Sequence, residues 1–177
     1  MKISDIVLQI DERKDNPLRG EARLVKNSEF GSEELERIIA AMTRALSREE
    51  DGVAIAAPQI GLPLSLFVIA EKAYPEDAKW KPLVFINPRI TKASKKMEEM
   101  QEGCLSVRWI YGKTDRAISV TLEAYDFNGN KFTYGASGLI AQIFQHETDH
   151  LHGILFIDHG HDFEELTEEE AKANMKK

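Results

Sequence analysis

Apolar positions first recur at helical spacing between residues 35 and 46, where Leu35, Ile38, Ile39, Met42 and Leu46 mark one stripe. Ser32 stands before it as a cap, and Glu33 and Glu34 suit the positive end of a helix dipole. The pattern predicts a helix that packs one face on a core. Residues 64–70 and 83–87 are short apolar runs with β-branched content, the second halted at Pro88, and both predict strands. The polar segment 89–101 mixes Lys92, Lys95 and Lys96 with Glu98 and Glu99 and predicts an exposed hairpin. Alternation at Ile118, Val120, Leu122 and Ala124 predicts a half-buried strand. Asn128-Gly129 carries a type I′ turn signal and Lys131 to Tyr134 returns, so a β-hairpin is expected.

From Gly138 to about Leu151 the apolar residues fall on two adjacent stripes, Leu139 and Ile143 on one, Ile140, Phe144 and Leu151 on the other. That helix should be buried over much of its circumference. Thr167 and Glu170, at capping-box spacing, open a closing helix. Strands in runs, with helices at either end and one in the middle, predict an α+β fold rather than alternating βαβ units. No repeat or linker divides the chain, so residues 1–177 read as a single domain.

A chain of 177 residues can hide roughly 70% of its unfolded surface, enough for a core without disulfides or a structural metal. Any metal would then serve chemistry. With 23 Lys and Arg against 30 Asp and Glu, binding to DNA through net charge is excluded as an expectation. The lone cysteine, Cys104, fits a reducing compartment. The apolar start is too short for a secretory signal, and no run of 18 apolar residues suggests a membrane span. A cytoplasmic location is expected, or an organelle if a transit peptide was removed.

The candidate chemistry sits on the buried helix, which carries His146, Glu147, Asp149 and His150. Burying several ionisable groups in one turn is costly unless something satisfies them. His146 and His150, four residues apart, project from one face and can share a metal, with Glu147 one residue round as base for an attacking water. A chance string on a solvated face is the competing reading, and the apolar surroundings speak against it. Metzincins extend H-E-x-x-H to a third histidine, but here that position is Phe156. A third ligand is then a carboxylate or Cys104. Alone, Cys104 reads as an inert buried thiol; beside two histidines it completes a Cys-His-His set with one position open. Gly103 would let backbone approach a substrate closely. The segment G52-V-A-I-A-A-P-Q59 is either a tight loop or a wall of small residues ending in an amide, Gln59, that can donate to an oxyanion.

In this order, G52-V-A-I-A-A-P-Q59, E102-G-C-L-S106 and Q145-H-E-T-D-H150 resemble the three motifs of peptide deformylases. The resemblance extends to N16-P-L-R19, Arg116, D126-F-N-G129 and H150-L-H-G-I-L-F-I-D158, and so to roughly residues 5–158, leaving a C-terminal extension at 159–177. It implies antiparallel sheets around a central helix, and removal of the formyl group from the formyl-methionine end of new polypeptides, releasing formate. It implies one divalent metal, Fe(II) first, with Zn, Ni or Co as substitutes, held by Cys104, His146 and His150. Glu147 would take a proton from the attacking water and deliver it to the leaving amine. Gln59 and the backbone N–H of Leu105 would hold the oxyanion, and Gly52, Val53 and Ala54 would run beside the peptide. Leu139 and Ile143, on the stripe of His146, are either walls for the methionine side chain or ordinary core. Arg116 and Asp149 would pair behind the metal. The ribosome is a further expected partner.

Two positions depart from the family pattern: Ala54 stands where a second glycine is usual, and Arg108 where proline is common. They bear on the shape and charge of the substrate groove. Two other readings follow from the same residues: a non-catalytic metal-binding relative that recognises peptide N-termini, and another metal-dependent amidase or protease.

Overall fold

The computed structural model describes residues 3–10 and 16–174; residues 1–2, 11–15 and 175–177 lie outside the described part. Helix α1 (Glu33–Ser47) begins where Ser32 Oγ accepts the Leu35 N–H at 3.2 Å, and it buries Leu35, Ile38, Ala41, Met42, Ala45 and Leu46. Strand β1 (Ala54–Ala56) follows, and then a short 3-10 turn over Ala57–Ile60, both inside the segment expected to be loop. Strands β2 (Leu66–Ile69), β3 (Val84–Ala93), β6 (Ser119–Tyr125) and β7 (Lys131–Ser137) join β1 in an antiparallel sheet of order β1-β2-β3-β6-β7. Strands β4 (Met97–Cys104), β5 (Val107–Ala117) and β8 (His161–Glu165) form a second sheet, order β4-β5-β8. Helices α2 (Gly138–Leu151) and α3 (Glu168–Asn174) complete the elements.

Strand β2 is buried at all four positions because both faces of its sheet are covered. Phe67 and Ile69 face a core shared with Ile140, Ile143 and Phe144 of α2. Leu66 and Val68 face a second core shared with Leu35, Met42 and Leu46 of α1. Phe144 anchors the first of these, packing edge-on to Phe85 at 5.1 Å and to Tyr134 at 5.9 Å. The expected α+β architecture, with sheets around a buried α2, is what the chain adopts.

Several local expectations need correction. Pro88 does not stop β3: a register shift between Ile86 and Arg89, with Asn87 at φ 49°, places the proline at an irregularity where no ladder donor is required. Segment 89–101 is exposed but is no hairpin, because β3 and β4 belong to different sheets and the chain crosses between them near Ser94. The β6–β7 turn is not type I′. Gly129 alone has positive φ, at 83°, and Asp126 Oδ1 accepts the N–H groups of Asn128 and Asn130 at 2.9 and 2.8 Å, an Asx-type arrangement. At the closing helix Thr167 and Glu170 do form a capping box, Oγ1 accepting the Glu170 N–H at 3.2 Å and Oε2 the Thr167 N–H at 2.8 Å.

Helix α2 ends on Gly153, whose N–H donates to the His150 carbonyl at 3.2 Å while its φ is 70°. A Cβ there would lie 2.7 Å from the carbonyl carbon of Arg19. Gly153→Ala should therefore destabilise by at least about 2 kcal/mol in urea titrations. Gly135→Ala, where a Cβ meets nothing within 4 Å, should stay within about 0.5 kcal/mol of the parent.

Candidate active site

The cleft of interest lies between two sheet edges, β1 and β4, with α2 as its floor. It encloses about 280 Å³. The i, i+4 spacing on α2 puts His146 and His150 side by side, ring centroids 4.9 Å apart. Opposite them β4 ends at Cys104, which pairs with Val107 across the two-residue turn Leu105-Ser106. The donor atoms of Cys104, His146 and His150 all lie within 4.8 Å of one another, with Cys104 Sγ 3.2 Å from His150 Nε2. A thiol and two imidazoles at that separation suit a divalent transition metal.

Glu147 is buried beside them, and its Oε2 has no hydrogen-bond partner among the described residues. Burial first, with Glu102 and Asp149 adding to it and His146 opposing, pushes its pKa up to about 7. A buried carboxyl with a free oxygen is placed to exchange a proton with something that enters the cleft. Gln59 is held by its Oε1, which accepts the Ala56 N–H at 2.8 Å. That turns Nε2 toward Ser106 Oγ at 3.2 Å and Cys104 Sγ at 3.6 Å. Leu105 follows Cys104 in the turn, its carbonyl accepting from Gln9 Nε2 at 2.8 Å.

Gly52, Val53 and Ala54 form one wall of the cleft and Gly103 part of the other. Gly103 has a structural demand of its own, since a Cβ would come within 2.8 Å of the Tyr111 ring. Ala54 is 6% exposed and belongs to the core on the α2 side while also lining the cleft. Ile143 is buried and Leu139 about half exposed, and both line the cavity.

Behind the donors runs a chain of charges. Arg116 donates from Nε and Nη2 to Glu102 at 2.9 and 3.1 Å and from Nη1 to Asp149 at 2.6 Å. Glu102 Oε2 lies 3.6 Å from His146 Nδ1, and His159 Nε2 lies 3.4 Å from Asp149. Burial would raise the pKa of Glu102, but His146 and Arg116 outweigh it and hold the carboxyl at about 2. Burial also opposes charge on His146, yet Cys104 and Glu102 carry its pKa well above the ordinary imidazole value. Burial and the neighbouring His146 take His150 the other way.

Sequence reasoning gave no role to Glu102, Ser106, Tyr111, Gln142 or His159. Glu102 was within reach, because it lies two residues before Cys104 and so on the same face of β4. Gln142 was also within reach, four residues before His146 on α2, whereas Tyr111, Ser106 and His159 are placed by the β4–β5 register and by tertiary contacts that sequence does not identify.

A family model described as polypeptide deformylase matches residues 7–166. The peptide deformylase of Desulforudis audaxviator is 36% identical over 152 residues, 86% of this chain and 92% of that protein. Peptide deformylase 1B, chloroplastic/mitochondrial, of Arabidopsis thaliana is 38% identical over 151 residues, 85% of this chain and 53% of that protein. Among solved structures, the class I type b peptide deformylase of Acinetobacter baumannii with Met-Ala-Ser bound superposes with a TM-score of 0.75 at 32% identity, covering 87% of this chain and 98% of that one.

Arg116→Met should leave Glu102 and Asp149 buried without their counter-charge and destabilise by about 3 kcal/mol. Metal content after dialysis should fall with it, because His146 loses the partner that holds its carboxylate neighbour in place. Melting curves and metal analysis of the same preparation check both.

Proposed function

The chain belongs to the polypeptide deformylase family and is a metal-dependent hydrolase of the formyl amide on N-terminal formyl-methionine, and we propose that Cys104, His146 and His150 hold its metal while Glu147, Gln59 and Leu105 carry the chemistry. One observation supports this assignment above the rest: the three donors converge within 4.8 Å at the side of Glu147, whose free oxygen has no other task. The comparisons do not favour the non-catalytic or protease readings.

A divalent cation at that site supplies Lewis-acid activation of water and of the formyl carbonyl. Fe(II) is the proposed native ion, with Zn, Ni and Co as competent substitutes, since thiolate and imidazole accept all four. Glu147 removes a proton from the attacking water at its free Oε2 and returns it to the leaving amine, releasing formate and a free N-terminus. Its raised pKa fits a group that must both take and give a proton near neutrality. Gln59 Nε2, fixed by the bond its Oε1 makes to Ala56, and the Leu105 N–H at the turn hold the developing oxyanion. A peptide lying over these groups would exclude water and strengthen each of these interactions.

A substrate chain fits as an extended strand between the free edges of β1 and β4, along Gly52, Val53 and Ala54 on one side and Gly103 on the other. The methionine side chain then enters between Leu139 and Ile143. Formyl-methionyl nascent chains, met at the ribosome, are the proposed physiological substrate. Residues 1–177 act as one catalytic domain, with 159–177 as an extension that adds β8 and α3. Among the described residues no helix is long and apolar enough to cross a membrane. A cytoplasmic site of action is proposed, the reducing environment protecting the single thiol.

Glu147→Ala should retain the metal and lose about 10²–10⁴-fold in kcat for formate release from a formyl-Met peptide. Near-parental turnover by a metal-loaded variant would remove Glu147 from the mechanism.

A further inference from the structure

The register of the second sheet breaks beside the active site. Gly103 pairs with Tyr111, but the next residue, Cys104, pairs with Val107, so three residues of β5, Arg108 to Ile110, have no counterpart on β4. They are thrown out as part of the cleft wall. From behind, β8 fixes this bulge, with Ile110 opposite Glu165 and the Leu166 N–H donating to the Trp109 carbonyl at 3.1 Å. Arg108 uses the position to reach across to the segment after α1. Its guanidinium donates to Asp51 at 2.5 and 3.1 Å and to Glu49 at 2.5 Å, lies 4.5 Å from the Trp109 ring centre, and leaves the side chain only 15% exposed.

Resting on the deformylase reading above, we propose that Arg108, clamped by Asp51 and Glu49, is a specificity-determining residue that sets the charge preference for the substrate residues just after formyl-methionine. Asp51 and Arg108 line the same cavity as the metal donors and are bonded to each other, so a peptide leaving the donors along the cleft passes against the joined pair. Arg108 is the only lysine or arginine among the cavity-lining residues described. Of the other cavity-lining acids, Glu102 is neutralised by Arg116 and Glu147 lies at the catalytic end. The clasp therefore has a formal charge of −1: Arg108 and Asp51 line the cavity, and Glu49, outside its lining, holds the guanidinium as the second carboxylate. Neither the cation nor the two anions is free to act alone, and the net sign is what a passing side chain meets.

The test compares formate release from two peptides, formyl-Met-Lys-Lys and formyl-Met-Glu-Glu, by metal-loaded parent protein, Arg108→Gln, Asp51→Asn and Glu49→Gln/Asp51→Asn. The readout is the ratio of kcat/KM for the lysine peptide to that for the glutamate peptide within each protein, in which a general loss of folded enzyme cancels. Clasp charges of −2, −1, 0 and +1 predict a monotonic fall of the ratio in the order Arg108→Gln, parent, Asp51→Asn, double variant. Each step should be about two- to fivefold at low ionic strength and nearly absent at ~1 M salt, where the screening length is about 3 Å. A ratio that is constant across the series, or that changes equally in high salt, overturns the proposal while leaving the deformylase reading intact. Absence of formate release by the parent with either peptide would instead overturn that reading.

Discussion

The Arg116 guanidinium between Glu102 and Asp149 is the interaction on which the rest of the site depends. Helix α2 has to be apolar on most sides, since one side faces Phe67 and Phe85 and the others face β1 and β5. It also has to carry two imidazoles and a carboxyl. Ionisable groups in that setting neutralise or find partners, because desolvation costs each several kcal/mol. Arg116 comes from β5, Glu102 from β4 and Asp149 from α2, so one cation joins three elements and lets the second sheet meet the helix through charge rather than through apolar packing. Among the described residues Glu147 Oε2 is left without a partner, and it is the group proposed to exchange the proton.

The two sheets serve different ends. The five-stranded sheet is a partition with a core on each face, α1 closing one and α2 the other, which fixes α2 and its two histidines. The three-stranded sheet has little core of its own, a small cluster of Cys104, Val107, Leu155 and Phe156. Its long strands instead deliver Cys104, Glu102 and Arg116 to one place. Because β1 and β4 are edge strands of their respective sheets, the cleft between them offers unpaired backbone to an extended chain. An exposed edge is a liability in most folds, and here it is turned inward against the partner sheet, where only something as narrow as a peptide can reach it.

Much of this was legible in the sequence where one residue type had one explanation. The stripe from Leu35 to Leu46, with Ser32 ahead of it, could only be a capped amphipathic helix. His146, Glu147 and His150 on an apolar background pointed to a metal because no cheaper way of burying them was evident. Pairing was the part that local pattern could not supply. Pro88 reads as a stop because proline lacks an N–H, yet an irregularity in β3 removes the need for one. Segment 89–101 reads as a hairpin because its charges balance, yet its two halves pair in different sheets. The bulge at Arg108 to Ile110 has no signature at all, since three extra residues in β5 are defined only against β4. Glu102 lies between these cases: its face of β4 followed from Cys104, but its partner Arg116 is set by the β4–β5 register.

The same limit explains why the proposed metal donors needed the whole fold. His146 and His150 are brought together by one turn of helix, so any sequence able to form α2 places them correctly. Cys104 lies 42 residues before His146 and arrives only if β4, its turn and β5 are in register against α2. Closing a loop of that length in an unfolded chain costs several kcal/mol of entropy. The fold meets that cost through burial elsewhere, in cores that contain no ligand. The thiol is then held in place before any ion binds, by the Ser106 N–H at 3.4 Å and the Gln59 amide at 3.6 Å. Those two groups restrain the sulfur without neutralising it as a ligand. A site assembled in advance in this way spends little of its affinity for metal on ordering protein, which matters for a donor set that several divalent ions can occupy.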